Sequence, residues 1–190
     1  MVKIENSKRT ILNLAESFLQ DVGYNGFSYA HIASELKVKN AAIHYHFPGK
    51  EDLARAVIQR YRDRFQLWIN NSRVKDLAPA KKLDWFFGIY SDMRADKGKV
   101  CLVGVFEAEF NSIPEGLQSE VEALHKELLK WLEATLSEGR EAGVFHFNGE
   151  SSNKAALILS SVQGALQMAR ALGTKKFRDV IEQHKLDLLV

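Results

Sequence analysis

The residues whose types and spacing could do chemistry lie together between Ser28 and Lys50, in SYAHIASELKVKNAAIHYHFPGK. Ile43 and Phe47 stand four apart and turn one side of a short helix inward, so Asn40, Ala41, His44 and Tyr45 are left facing outward. An amide, a small side chain and two rings together are unusual for a merely solvated face. Elsewhere no nucleophile, base and orienting group can be assembled together, which disfavours an all-helical enzyme. His44 and His46, two apart on a helix, point in different directions and have no neighbouring Cys or carboxylate. No metal site and no cofactor are expected there.

Short elements must hold that face. Ile32, Ala33 and Leu36 put a small apolar face on a helix of about two turns after a Ser28 N-cap. Val38 fills the corner, and the second helix runs from near Asn40 to Phe47 and stops before Pro48-Gly49. Two short helices around a tight turn make a helix-turn-helix, whose second helix enters the major groove of double-stranded DNA. Upstream, Ile11, Leu14, Ala15, Phe18, Leu19 and Val22 form the stripe of an amphipathic helix ending at Gly23, the floor for the motif.

Gly23, Phe27-Ser28, Ile32-Ala33, Val38 and the run Ile43-His44-Tyr45-His46-Phe47-Pro48-Gly49-Lys50-Glu51-Asp52-Leu53 resemble the amino-terminal signature of the tetracycline-repressor (TetR) family of bacterial regulators. The motifs cover roughly the first third of the chain. The resemblance implies that Asn40 touches bases and that His44 and Tyr45 face the groove. It implies that Ser28, Tyr29, His46 and Lys50 hold phosphates, which fix register without reading sequence. Bland alternatives stand beside these roles: Asn40 as an N-cap, Ala41 and Ala42 as packing spacers instead of thymine-methyl contacts, Lys50 as a surface lysine. Three positions depart from the pattern. Lys37 replaces the usual turn glycine, Lys39 stands where a serine cap is common and exchanges a cap for a phosphate contact, and His44 replaces tyrosine.

The remainder reads as helices. Lys50 to Asn71 carries Leu53, Val57, Tyr61, Phe65 and Trp68 at near-helical spacing and bridges two domains, 1–48 for DNA and 49–190 for regulation. Arg55, Arg60, Arg62 and Arg64 beside that stripe read as a solvated face. After a joint at Asn71–Pro79, a helix should run to Lys97-Gly98. Another is expected within Val100–Phe110, and a third from Pro114 until Gly139 and Gly143 break it. A loop with Phe145 and Phe147 precedes a helix from a Ser151 or Ser152 cap to Leu172, and a last helix spans Lys175 to Leu188. The fold class is all-α.

Phe65, Trp68, Trp85, Tyr90, Met93, Cys101, Phe106, Phe110 and Trp131, with Phe86 and Leu128, gather rings and soft side chains on consecutive helices. Proteins similar to this one hold a small-molecule effector among such helices, and Glu107 and Glu109 are candidate polar groups for it. The rows Ala156, Ser160, Gly164 and Ser161, Ala165, Ala169 allow another helix close, so the last two helices are the candidate homodimer surface. With 46% hydrophobic and 26% charged residues, the 190-residue chain reads as a soluble globular protein. No apolar run is long enough to span a membrane, and the lone Cys101 suits a reducing compartment, so a cytoplasmic location is expected. Through Asp76, twelve Lys and Arg face eight Asp and Glu, a formal +4, and the rest carries −2. The basic part holds the helix-turn-helix, the sign needed near phosphates. The expected function is a homodimeric transcriptional regulator, a repressor released from a palindromic operator by an apolar or amphipathic effector. Its rival is a DNA-binding module controlled by a protein partner or by nothing.

Overall fold

A computed structural model describes the backbone of residues 2–95 and 99–189 and the side chains of 7–92 and 99–189. The described residues form ten α-helices, with a single 3-10 turn and no strand. They are α1 (Val2–Val22), α2 (Tyr29–Leu36), α3 (Asn40–His46), α4 (Lys50–Asn70), α5 (Ser72–Lys75), α6 (Pro79–Ala95), α7 (Leu102–Ala108), α8 (Glu115–Glu141), α9 (Ser151–Leu172) and α10 (Lys175–Leu189). The 3-10 turn is Phe110–Ser112.

By contact the chain divides into two compact units that interleave in sequence. The first holds the residues up to Phe65 together with Leu102–Leu124; the second holds Gln66–Cys101 and the residues from His125 onward. The boundaries fall inside α4 and inside α8, a grouping that cuts across the contiguous division 1–48 and 49–190.

In the first unit, Ile11, Ala15 and Leu19 of α1 are buried against the motif, whose Ile32 and Ile43 are wholly inaccessible. Phe18 stacks on Phe27 with ring centroids 5.6 Å apart. Val22 and Val38 are exposed, so the predicted stripe ends at Leu19 and the turn corner is not filled by Val38. Of the arginines of α4, Arg55 and Arg64 lie largely in solvent as expected, but Arg60 and Arg62 are half-buried ion-pair partners. Arg60 donates to Asn13 Oδ1 and to the Leu12 carbonyl, each at 2.8 Å, and pairs with Glu16, which Arg64 also reaches at 2.9 Å. Arg62 pairs with Glu120 of α8 at 3.2 Å. Charge-assisted hydrogen bonds of this kind are stronger than neutral ones, and those of Arg60 and Arg64 tie α4 to α1.

In the second unit, Leu83, Phe86, Phe87 and Tyr90 of α6 join Ile158, Leu159, Val162 and Leu166 of α9 and Phe177, Ile181 and Leu188 of α10 in one core. α8 continues past Gly139 and ends at Glu141, just before the expected breaker Gly143 at φ 67°; the bareness of Gly139 serves a ring instead, since a Cβ there would lie 2.0 Å from Phe145 Cδ2. The N-cap of α9 is Glu150, so Ser151, expected as the cap, is instead buried in the first turn. The expected joint holds the short helix α5, whose N-cap Asn71 accepts from the Arg73 N–H at 2.9 Å.

Candidate nucleic-acid interface

Helix α3 is seated by a tyrosine. Tyr29, in the first turn of α2, is 7% exposed, and its hydroxyl lies 2.6 Å from the Gly49 carbonyl and 2.9 Å from the Phe47 carbonyl. Those carbonyls close α3 and open α4, so one phenol pins the start of the motif to its end. The hydroxyl proton is therefore committed inside the domain. Burial, with Asp52 nearby, pushes the phenol up to about 12.

Between the helices, Lys37 sits at φ 54°, ψ 43°, the left-handed conformation that glycine adopts without cost. Its amide and that of Val38 donate to the Ser34 and Ala33 carbonyls, closing α2. Lys39, extended at φ −79°, ψ 149°, is the N-cap of α3 and makes no side-chain cap bond. Asn40 is thus the first residue of the helix proper, and its amide does not serve as the cap.

Asn40, Ala41, Ala42, His44 and Tyr45 are all exposed, and Tyr45 is 75% exposed. A large ring so open on a helix otherwise anchored by Ile43 and Phe47 has no packing role. Its edge meets the His46 ring at 5.1 Å, which holds both rings on the outer surface. His44 Nδ1 lies 3.0 Å from the Pro48 carbonyl, and the ring meets Tyr29 at 4.7 Å. The neutral tautomer matching that geometry donates from Nδ1 and leaves Nε2 as an acceptor. Lys39 and Ser28 are exposed as well.

Lys50 is placed differently from the other residues expected at phosphates. Its ammonium donates to the Phe27 carbonyl at 2.5 Å and lies 4.5 and 4.7 Å from the Tyr24 and Phe27 ring centroids. Burial lowers its pKa, partly offset by the Glu109 charge. The amino end of α4 is secured by Asp52, whose carboxylate accepts from the Gly49 N–H at 2.9 Å.

The residues expected around an effector fall into both units. Trp68, Trp131, Phe86 and Tyr90 form one chain of rings, with centroids 4.8 Å apart for Trp68 and Trp131, 5.7 Å for Phe86 and Trp131, and 5.1 Å for Phe86 and Tyr90. Cys101 is buried in the same unit, with Gln163 Nε2 at 3.9 Å from its sulfur. Trp85 is 47% exposed and stands apart from that cluster. Phe65, Phe106 and Phe110 belong to the first unit, where Phe106 packs on Tyr24. The side chain of Met93 lies outside the described residues. A cleft of about 310 Å³ opens in the second unit, lined by Asp84, Phe87, Gly88, Phe177, Ile181 and Lys185 among others. No sequence signal marked that cleft. Glu109, expected as a polar group of a pocket, instead holds the turn after α1.

Comparison with known proteins agrees with this geometry. The profile of the bacterial regulatory proteins of the tetR family matches residues 11–57, which span the helix-turn-helix and the start of α4. A TetR transcriptional regulator from Legionella pneumophila is 33% identical, over 94% of this chain and 95% of its own, with a TM-score of 0.81. The chain belongs to the TetR family. A TetR-family transcriptional regulator from Agrobacterium tumefaciens superposes with a TM-score of 0.91 at 28% identity, over 98% of this chain and all of its own. Among curated proteins, the HTH-type transcriptional repressor DhaR of Mycobacterium sp. (strain GP1) is 24% identical over 76% of this chain and 72% of its own. This chain is accordingly a TetR-family DNA-binding transcriptional regulator with an amino-terminal helix-turn-helix and a carboxy-terminal helical region. Among the described residues no helix is long and apolar enough to cross a membrane.

Proposed function

We propose that this TetR-family protein is a homodimeric repressor that reads a palindromic operator with α3 and releases it on binding a small apolar or amphipathic molecule. The observation that carries the DNA-reading part is the face of Asn40, Ala41 and Tyr45, left open by a helix whose cap is Lys39 and whose anchors are Ile43 and Phe47. Asn40 is suited to the N6 and N7 edge of adenine, and Ala41 and Ala42 let the backbone approach a thymine methyl. Tyr45 and His44 contact bases; Ser28, Lys39 and His46 hold phosphates at the rim. Repression is supported by the similarity to DhaR.

The dimer reading rests on α9 and α10. Leu157, Met168 and Leu172 of α9 and Leu186 and Leu189 of α10 are exposed, and Gly164 has open space where a Cβ would stand. A two-fold copy of the same surface would cover them, relating two reading helices by a dyad. The effector reading rests on the rings of Trp68, Phe86, Tyr90 and Trp131, which supply an apolar wall of the kind ligand pockets use.

Selection of bound duplexes from a random DNA pool, followed by a small-molecule screen against the selected complex, tests the whole reading. The expected result is an inverted repeat from which at least one ligand displaces the protein. Enrichment of a single, non-repeated half-site would overturn the dimeric reading, and no enrichment would overturn the operator reading. Gly164→Leu should shift sedimentation toward monomer and weaken operator binding without touching DNA.

A further inference from the structure

Glu109 has a placement that the DNA-reading face does not explain. It follows α7, yet its carboxylate reaches a turn more than eighty positions earlier in the chain. Oε2 accepts from the Tyr24 N–H at 2.5 Å, and Oε1 accepts from the Asn25 N–H at 3.2 Å and from Asn25 Nδ2 at 3.3 Å. The Asn25 amide also donates to Ser112 Oγ at 2.9 Å, and that hydroxyl donates back to the Glu109 carbonyl at 2.8 Å. Two successive backbone N–H groups aimed at one anion form a nest. Gly23 makes the approach possible: at φ +81° it turns the chain out of α1, and a Cβ there would lie 2.8 Å from Glu109 Oε2.

Both carboxylate oxygens are occupied by the turn, so they are not free to line a ligand pocket. The neighbours reinforce the same join. The Tyr24 ring, 8% exposed, packs on Phe106 of α7, and the Lys50 ammonium lies over that ring while bonding the Phe27 carbonyl. Residues 23–27 thus run from the end of α1 to the Ser28 cap of α2 with each end held: Glu109 at Tyr24 and Asn25, Lys50 at Phe27.

We infer that Glu109 is a positioning residue for DNA recognition, its carboxylate fixing the exit of the chain from α1 and so the seat of α2 and α3 on their floor. A residue far along the chain thereby sets the pose of the reading helix without touching DNA. This rests on the DNA-binding role of the family and not on the effector or repressor readings.

The sign of the effect separates positioning from bulk electrostatics. An incidental carboxylate near DNA repels phosphates, and removing it tightens binding to every sequence. Removing a positioning carboxylate weakens the match to the operator. Full-length Glu109→Gln is compared with wild type on a selected operator duplex and on a random duplex of equal length. The expected result is about tenfold weaker operator binding, from loss of charge-assisted bonds, with random-duplex affinity unchanged or higher. Amide exchange at Tyr24 and Asn25 should accelerate. Equal or tighter operator binding, equal loss on both duplexes, or unchanged amide protection would overturn the assignment. Where the variant melts, Asn25→Asp sets a second carboxylate against Glu109 from the exposed side and should weaken operator binding. That loss should be larger on the operator than on the random duplex; no loss on the operator, or an equal loss on both, would overturn the assignment. If wild type selects no DNA, the fault lies with the DNA-reading proposal instead.

Discussion

Tyr29→Phe removes one oxygen and separates two roles for the first residue of α2. The phenol holds the Gly49 and Phe47 carbonyls at 2.6 and 2.9 Å from a position 7% exposed. Without it the Phe47 carbonyl loses its donor at the junction of α3 and α4, while the Gly49 carbonyl keeps the Leu53 N–H at 3.1 Å. Leaving a buried acceptor unsatisfied costs about 1–3 kcal/mol. For a chain of this length that corresponds to a fall in melting temperature of roughly 2–10 °C. Operator affinity should fall only through the looser seat of α3, and less at low temperature, where the domain remains folded. Thermal melting by circular dichroism, paired with fluorescence anisotropy of a labelled operator, measures both. The ionisation supplies a further check. A phenol raised from 10 to about 12 stays protonated in the fold where the unfolded chain has lost its proton. Its stabilisation is therefore complete below about pH 10 and is lost as pH rises toward 12. Tyr29→Phe should lack this alkaline decline. An unchanged melting temperature with affinity reduced on operator and random DNA alike would refute the reasoning and make Tyr29 a phosphate contact.

Further perturbations follow from the same region and from α10. Lys37→Gly relieves a left-handed backbone worth about 1–2 kcal/mol and adds unfolded-chain entropy of about 0.4–1 kcal/mol, so chemical denaturation should show a net gain of about 0.5–1 kcal/mol; Lys37→Val should destabilise. Lys39→Ala should shift the slope of log affinity against log salt by about 0.9, whereas Lys50→Met, whose ammonium is engaged with Phe27, Tyr24 and the field of Glu109, should leave that slope unchanged. His184, 7% exposed and stacked on Phe87 with Nε2 against Ser161, has its pKa lowered first by burial and then by Lys154, with Asp187 opposing. The fold therefore favours the neutral ring, and stability should be full above the unfolded pKa of about 6.5 and fall as pH drops through it; His184→Gln should flatten that decline in melts from pH 7.5 to 5.

The second helix of the motif was legible because what shapes it is local. Ile43 and Phe47 fix which way a seven-residue helix faces, and Pro48-Gly49 fixes where it ends, all within one short stretch. The left-handed state of Lys37 was legible in the same way, as a lysine standing where a turn needs a glycine. What the sequence concealed is long-range. Tyr29 looks like an exposed polar residue at a helix start until its hydroxyl is seen to meet carbonyls some twenty positions on. Nothing in the spacing of Arg60 announces Glu16, and Glu109 within an apolar run resembles a pocket acid before its bonds to Tyr24 and Asn25 are known. Gly139 reads as a helix breaker because the ring that needs its bareness, Phe145, belongs to the following loop.

The interleaving of the two compact units bears on how this protein is made. Residues 66–101 separate the helices up to Phe65 from their partners at Leu102–Leu124. On a ribosome the amino-terminal unit is translated first but cannot close until α7 and the first half of α8 have left the exit tunnel. At about 5–20 residues per second, the roughly sixty residues from 66 to 124 take about 3–12 s to synthesise. Throughout that interval the surface of α1 that α7 later covers, and the nest after Gly23, face solvent or a chaperone. A fragment ending near residue 70 is frozen in this waiting state. It therefore makes a poor stand-in for the DNA-binding half of the intact chain.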